Sequence, residues 1–235
     1  LAGCAAEFCL RAAFTRFTPE QRAALLAGWS SRILRTLNLK ISFTGEPHPE
    51  GLIVSNHLSY LDILVFSSIA NCVFVSKSEV KSWPVVGWVA TLSGAVYVDR
   101  SRRTDTQSVQ PEMKASLSRG LRLAMFPEGT STDGSRVLRF HSSLFQPAID
   151  LNTPVTAAAI RYSVADGDAA QDVCYWGDMT LGQHLFKLLR KDSVSASVRF
   201  SEQHFHFADR KEAARIMHQE VERLYADQDI SSLAT

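Results

Sequence analysis

The sequence predicts a single main domain with an α/β layer fold, preceded by an amphipathic helical element. Three observations predict it. At 235 residues the chain can bury a full core and remain one domain. From residue 39 onward, short β-type runs alternate with helical stretches, the pattern of sheet and helix layers. Before residue 39 the apolar periodicity is that of one helix.

In that first segment, Thr18-Pro19-Glu20-Gln21 reads as a helix start. Thr caps, Pro occupies the first helical position and Gln reaches back. The helix should run to about Leu37, with Leu25, Leu26, Trp29, Ile33 and Leu37 in one sector. Arg11, Arg16, Arg22, Arg32, Arg35 and Lys40 outweigh Glu7 and Glu20, so this end is basic. Two uses of the helix are open: packing on the core, or lying among anionic lipid headgroups. Residues 1–38 are therefore assigned to an amino-terminal element and 39–235 to the main domain. Strands are expected at Leu39–Phe43, Leu52–Ser55, Val73–Val75, Ala95–Val98, Leu121–Phe126, Val155–Ile160 and Val194–Phe200, and helices near 59–70, 105–119, 141–151, 179–190 and 209–227. The polar break at 165–168 is too short for a domain linker.

The net charge of +1 argues against nucleic acid as a partner. Cys4, Cys9, Cys72 and Cys174 form no CxxC pair and no metal-type spacing, which favours reduced thiols facing the cytosol. No stretch approaches the roughly 18 apolar residues of a spanning helix. Leu1-Ala2-Gly3-Cys4 has the form of a lipoprotein cleavage box without its usual flanks.

Chemistry concentrates at two places. The run Leu52-Ile53-Val54 ends in Ser55-Asn56-His57, and the next helix should open at Ser59 with Asp62 near its third position. On a continuous helix, residues five apart diverge by about 140°. His57 and Asp62 can therefore meet only if His57 lies in the turn, and the aspartate then holds one imidazole nitrogen and leaves the other as a base. The same residues also read as a plain capping box, Ser59-x-x-Asp62. The second place is Phe126-Pro127-Glu128-Gly129-Thr130, a turn after a strand suited to an anion. Asp99-Arg100 follows another strand, and all three segments fall at carboxyl ends of strands, where ligands collect in such sheets.

Asn56-His57-Leu58-Ser59-Tyr60-Leu61-Asp62 matches an NHxxxxD motif, and with it the chain resembles the glycerolipid acyltransferases, which include the lysophosphatidic acid acyltransferases. Gly94 to Arg100, Phe126 to Thr130 and Thr153-Pro154-Val155 resemble that family's second, third and fourth blocks, in order, between about residues 40 and 160. The resemblance implies a mixed, mostly parallel sheet flanked by helices, with the amino-terminal helix on the membrane. It implies His57 as general base and Asp62 as its orienting partner, with Arg100, Glu128, Gly129 and Thr130 positioning the acyl acceptor. No metal or cofactor is implied; the co-substrate is acyl-CoA or acyl carrier protein. The acceptor expected is a lysophospholipid such as 1-acylglycerol-3-phosphate, with a lyso-aminolipid as the alternative, at the cytoplasmic face of a membrane. A non-catalytic lipid-binding relative would not need His57 and Asp62.

Two positions depart from the family pattern. Ser131 stands where an arginine commonly follows the third block, and Thr156-Ala157-Ala158 where a second proline often occurs. Donors for the oxyanion are expected among backbone amides near Ser59. Other chemistries lack their signatures. No GxSxG elbow occurs, and the P-loop-like run from Gly129 to Arg136 has Ser135 in place of the lysine. His204 and His206 lack a third metal ligand.

Overall fold

The structure is a computed structural model that describes residues 17–78, 81, 87, 91, 94–98 and 106–227. It opens with α1 (Pro19–Thr36), started by the anticipated capping box: Gln21 N–H donates to Thr18 Oγ1 and Thr18 N–H to Gln21 Oε1. There follow β1 (Leu39–Thr44), β2 (Gly51–Ser55), α2 (Leu61–Ala70), β3 (Val73–Lys77), β4 (Val96–Val98), α3 (Thr106–Leu117) and β5 (Arg122–Met125). A 3-10 turn (Ser142–Phe145) leads into α4 (Gln146–Asp150), then β6 (Val155–Val164), α5 (Ala169–Asp172), α6 (Leu181–Leu188), β7 (Val194–Phe205) and α7 (Arg210–Ala226).

The seven strands form one mixed sheet in the order β1-β7-β6-β2-β5-β3-β4, in which only the β6–β7 pair is antiparallel. At its centre, β2 is buried along its whole length and pairs in parallel with β5 and β6. Its alternation divides the core. Leu52 and Val54 join a cluster with Leu123, Met125, Met217 and Val221 on one face, and Ile53 joins Val65, Phe66, Ile160 and Val198 on the other. Gly51 is obligatory at φ +95°, because a Cβ there would lie 2.3 Å from the Pro154 carbonyl oxygen.

α1 packs on the core: Ala23, Leu26, Trp29 and Leu34 are buried, and the helix packs against α2. Its exposed side carries Arg32 and Arg35. The basic positions Arg11 and Arg16 and the thiols of Cys4 and Cys9 lie outside the described residues. No described helix is long and apolar enough to cross a membrane.

Several element boundaries differ from expectation, among them three near the turns that shape the sheet's ends. α2 begins at Leu61, two residues late, and Ser59 does not cap it: its buried hydroxyl has no hydrogen-bond partner. The helix foreseen at 141–151 is a 3-10 turn followed by one short α turn; Pro147, in that turn, has no amide proton to donate to a continuous ladder. β7 runs to Phe205, paired with β6 through a bulge between Thr156 and Ala158. The alanines that replace the family's second proline are fully buried there.

Candidate active site

The registers Val54↔Met125 and Ser55↔Ala158 bring the residues after β2, after β5 and late in β6 to one end of the sheet. Asn56 ends β2 by substituting its side chain for a strand partner: its Nδ2 donates to the Ile160 carbonyl at 2.9 Å, and its Oδ1 accepts from Ile160 N–H at 2.8 Å. The backbone then turns, which puts His57 outside the helix, as the spacing required.

The imidazole Nδ1 lies 2.7 Å from Asp62 Oδ2. The same oxygen accepts from the amides of Leu58 (2.7 Å) and Ser59 (3.0 Å), and Oδ1 accepts from the Tyr162 hydroxyl at 2.7 Å. Asp62 is fully buried, so four donors converge on one enclosed carboxylate, which has only acceptors to offer. Nδ1 therefore carries the proton, and Nε2 is the basic nitrogen. Two of the amides near Ser59 are already committed, since Leu58 and Ser59 donate theirs to Asp62.

The imidazole is held flat as well as hydrogen-bonded. Phe126 stacks on it with centroids 4.2 Å apart and planes 6° from parallel, and Phe126 is itself backed by Phe66 and Phe74. The His57 side chain remains 21% exposed, enough for its outer edge to meet a substrate. The loop is pinned on both sides, the carbonyl of His57 accepting from Thr132 N–H and that of Leu58 from Tyr175 N–H.

Glu128 also converges on this turn. Its Oε1 accepts from the His57 amide and its Oε2 from the Leu138 amide, both at 2.7 Å, and the residue is buried. Burial pushes its carboxyl up to about 7, against the pull of those two amides. Gly129, at φ +75°, closes the turn with its amide on the Phe126 carbonyl, and Thr130 sits exposed at the tip. Arg100 lies outside the described residues. Ser131 donates to the Tyr175 carbonyl, which ties the turn to the segment that covers Leu58.

The raised carboxyl has a pH consequence. Between its ordinary 4.5 and about 7, the folded protein keeps a proton on Glu128 that the unfolded chain has released. Its share of stability is thus present below pH 4.5 and is lost as pH rises towards 7. Glu128→Gln, which cannot ionise, should flatten the fall of Tm with pH across that window; an unchanged slope in thermal melts would deny the shift.

Sequence reading missed Tyr162, whose only local signal is a polar tip near the end of an apolar strand. Burial and the neighbouring Asp62 hold its phenol well above the ordinary range, so it stays a donor. Tyr162→Phe should cost about 1–3 kcal/mol in stability by stripping one donor from a buried carboxylate. We expect turnover to fall about tenfold with it, because the orientation of His57 depends on that carboxylate. Denaturant melts and initial rates on the same preparation check both.

The other candidates recede. The thiols of Cys72 and Cys174 are buried and pushed up to about 12, unsuited to nucleophilic use. His204 bonds Thr156 through Nδ1, and no group of three potential metal ligands occurs among the described residues.

The Acyltransferase family model matches residues 40–161, the span that contains His57, Asp62, Phe126, Glu128 and the strands that place them. The chain belongs to the glycerolipid acyltransferase family. This acyltransferase is 36% identical to the lyso-ornithine lipid O-acyltransferase of Brucella abortus (strain 2308) over 222 residues, covering 84% of this chain and 83% of that one. It is 31% identical to the 1-acyl-sn-glycerol-3-phosphate acyltransferase of Neisseria gonorrhoeae, covering 76% of this chain and 70% of that one. Its fold is similar to the crystal structure of the 1-acyl-sn-glycerophosphate acyltransferase PlsC from Thermotoga maritima, with a TM-score of 0.69 and 18% identity over 94% of this chain and 87% of that one.

Proposed function

We propose that this enzyme moves a fatty acyl group from an acyl thioester to the free hydroxyl of a lyso-aminolipid, with His57 as general base and Asp62 as its orienting partner. The observation that carries the chemistry is the Nδ1–Asp62 bond, which commits Nε2 to proton transfer. Nε2 takes the hydroxyl proton as that oxygen attacks the thioester carbonyl. The new C–O bond forms, the C–S bond breaks, and the proton on Nε2 passes to the departing sulfur. No covalent enzyme intermediate is needed. Glu128 serves in this reading as a positioning residue, holding the His57 backbone. Arg100, Gly129 and Thr130 are assigned to the acceptor headgroup on the resemblance of their blocks.

Two features favour the aminolipid. Ser131 replaces an arginine that would suit a phosphate, and it is turned onto the Tyr175 carbonyl. The Brucella relative, named for a lyso-ornithine lipid, is matched over most of its length. The second reading, 1-acylglycerol-3-phosphate, is supported by the Neisseria relative. We place the enzyme at the cytoplasmic face of a membrane. Its lipid substrates partition there, Phe186 and Leu189 are exposed, Arg32 and Arg35 line the outer side of α1, and its described cysteines are free. The deciding experiment presents acyl-CoA and a panel of lysolipids to the purified protein and measures thiol release and product. Acylation of lyso-ornithine lipid ahead of 1-acylglycerol-3-phosphate supports the first reading, and the reverse order supports the second.

A further inference from the structure

We propose that the cleft between the 137–142 segment and α7 binds the phosphate-bearing nucleotide end of a coenzyme A thioester. The inference rests on the reading of an acyl thioester as donor. The cleft has a volume of about 470 Å³, within the range of small-ligand sites. Arg139 and Ser142 line one wall, Lys211, Arg215 and His218 of α7 the other, with Phe140 and Ala214 supplying apolar surface.

Its charge is not consumed by the fold. Among the described residues, none of Arg139, Lys211 and Arg215 has a carboxylate within ion-pair distance; Arg215 Nη1 donates to Gln219 Oε1 at 3.1 Å. The one acidic residue in the lining, Glu222, lies 3.2 Å from His218 Nδ1 and is paired with it when that imidazole is protonated. Lys211 and Arg215 stand one helical turn apart on the same face of α7, and Arg139 comes from the opposite wall. Three such cations around a concavity attract a compact polyanion. A concave site of this size suits a nucleotide bearing phosphates better than the convex acidic surface of a carrier protein.

The location suits a donor. The wall of the cleft is joined to the base by a short relay. Val137 carbonyl accepts from His218 Nε2 at 3.3 Å, and the next residue, Leu138, donates its amide to Glu128 Oε2 at 2.7 Å. The other oxygen of Glu128 accepts from the His57 amide. A ligand anchored by its phosphates in the cleft would have its long pantetheine arm free to carry the thioester towards His57.

Adenosine 3′,5′-bisphosphate, which has the adenosine, the 3′-phosphate and the first 5′-phosphate and neither arm nor acyl chain, is the probe. By calorimetric titration it should bind the full chain, and Arg215→Glu or Lys211→Glu should weaken it at least about tenfold, as expected for reversing a charge at an anion site. Lys40→Glu, on the exposed edge strand β1, serves as the charge-matched control, and His57→Ala should bind as tightly as wild type. In turnover, the two α7 reversals should raise KM for acyl-CoA and leave KM for acyl-pantetheine, which lacks the nucleotide, unaffected. Absence of binding by wild type, equal binding by the reversals, equal KM changes for both donors, or turnover with acyl carrier protein alone would each overturn the proposal. Should wild type acylate no lysolipid from any donor, the functional reading fails, yet the titration still decides the cleft.

Discussion

His57→Ala should lower kcat by about 10²- to 10⁴-fold, the range supplied by a positioned general base. Stability should fall only modestly: the variant strips one donor from buried Asp62, as Tyr162→Phe does, but Oδ2 keeps the amides of Leu58 and Ser59, and Phe126 keeps its packing on Phe66 and Phe74. The loss should lie in kcat and not in either KM, because Nε2 acts on the reacting proton and does not anchor a substrate in the ground state. Thiol release followed by a thiol-reactive dye measures it. A variant that kept full turnover would remove the base from the account.

The second large effect is expected at Asp62, where two substitutions separate charge from architecture. Asp62→Asn keeps an acceptor for the three donors at the Oδ2 position and turns its amide towards Tyr162, whose hydroxyl can accept. The negative charge that stabilises a protonated imidazole is lost, so kcat should drop by about 10²-fold or more with a modest change in Tm. Asp62→Ala strands the amides of Leu58 and Ser59, each at a cost of about 1–3 kcal/mol when buried without a partner. It should therefore lose stability as well as turnover. Paired kcat and Tm measurements distinguish the cases, and near-normal turnover in Asp62→Asn would reduce Asp62 to a structural tie.

What could be read from the chain follows from how local each interaction is. His57 and Asp62 lie five residues apart, and only a turn lets them touch, so their spacing made the dyad legible beside the plainer capping box. The seven-stranded layout was legible because each strand is a short apolar or alternating run between turns. Strand ends were not, since pairing stops where the partner's register stops. Tyr162, one hundred residues from Asp62 in the chain, could not be read: a single tyrosine in a strand does not say which carboxylate it will face. Phe126 was legible as part of a turn, and its stacking on His57 was not, because it depends on the β2–β5 register. Beside the acceptor role that the resemblance implies for Glu128 stands a structural one, each of its oxygens accepting from a backbone amide. No pattern of residue types announces that, since a buried carboxylate and a surface one are written with the same letter.

The tautomer of His57 tests the account at its centre. In protein labelled with ¹⁵N-histidine, a long-range ¹H–¹⁵N spectrum of the neutral ring should show the proton on Nδ1 and a bare Nε2, and Asp62→Asn should perturb that Nδ1 signal. A proton found on Nε2 in the wild-type enzyme would leave no base facing the substrate and would contradict the mechanism.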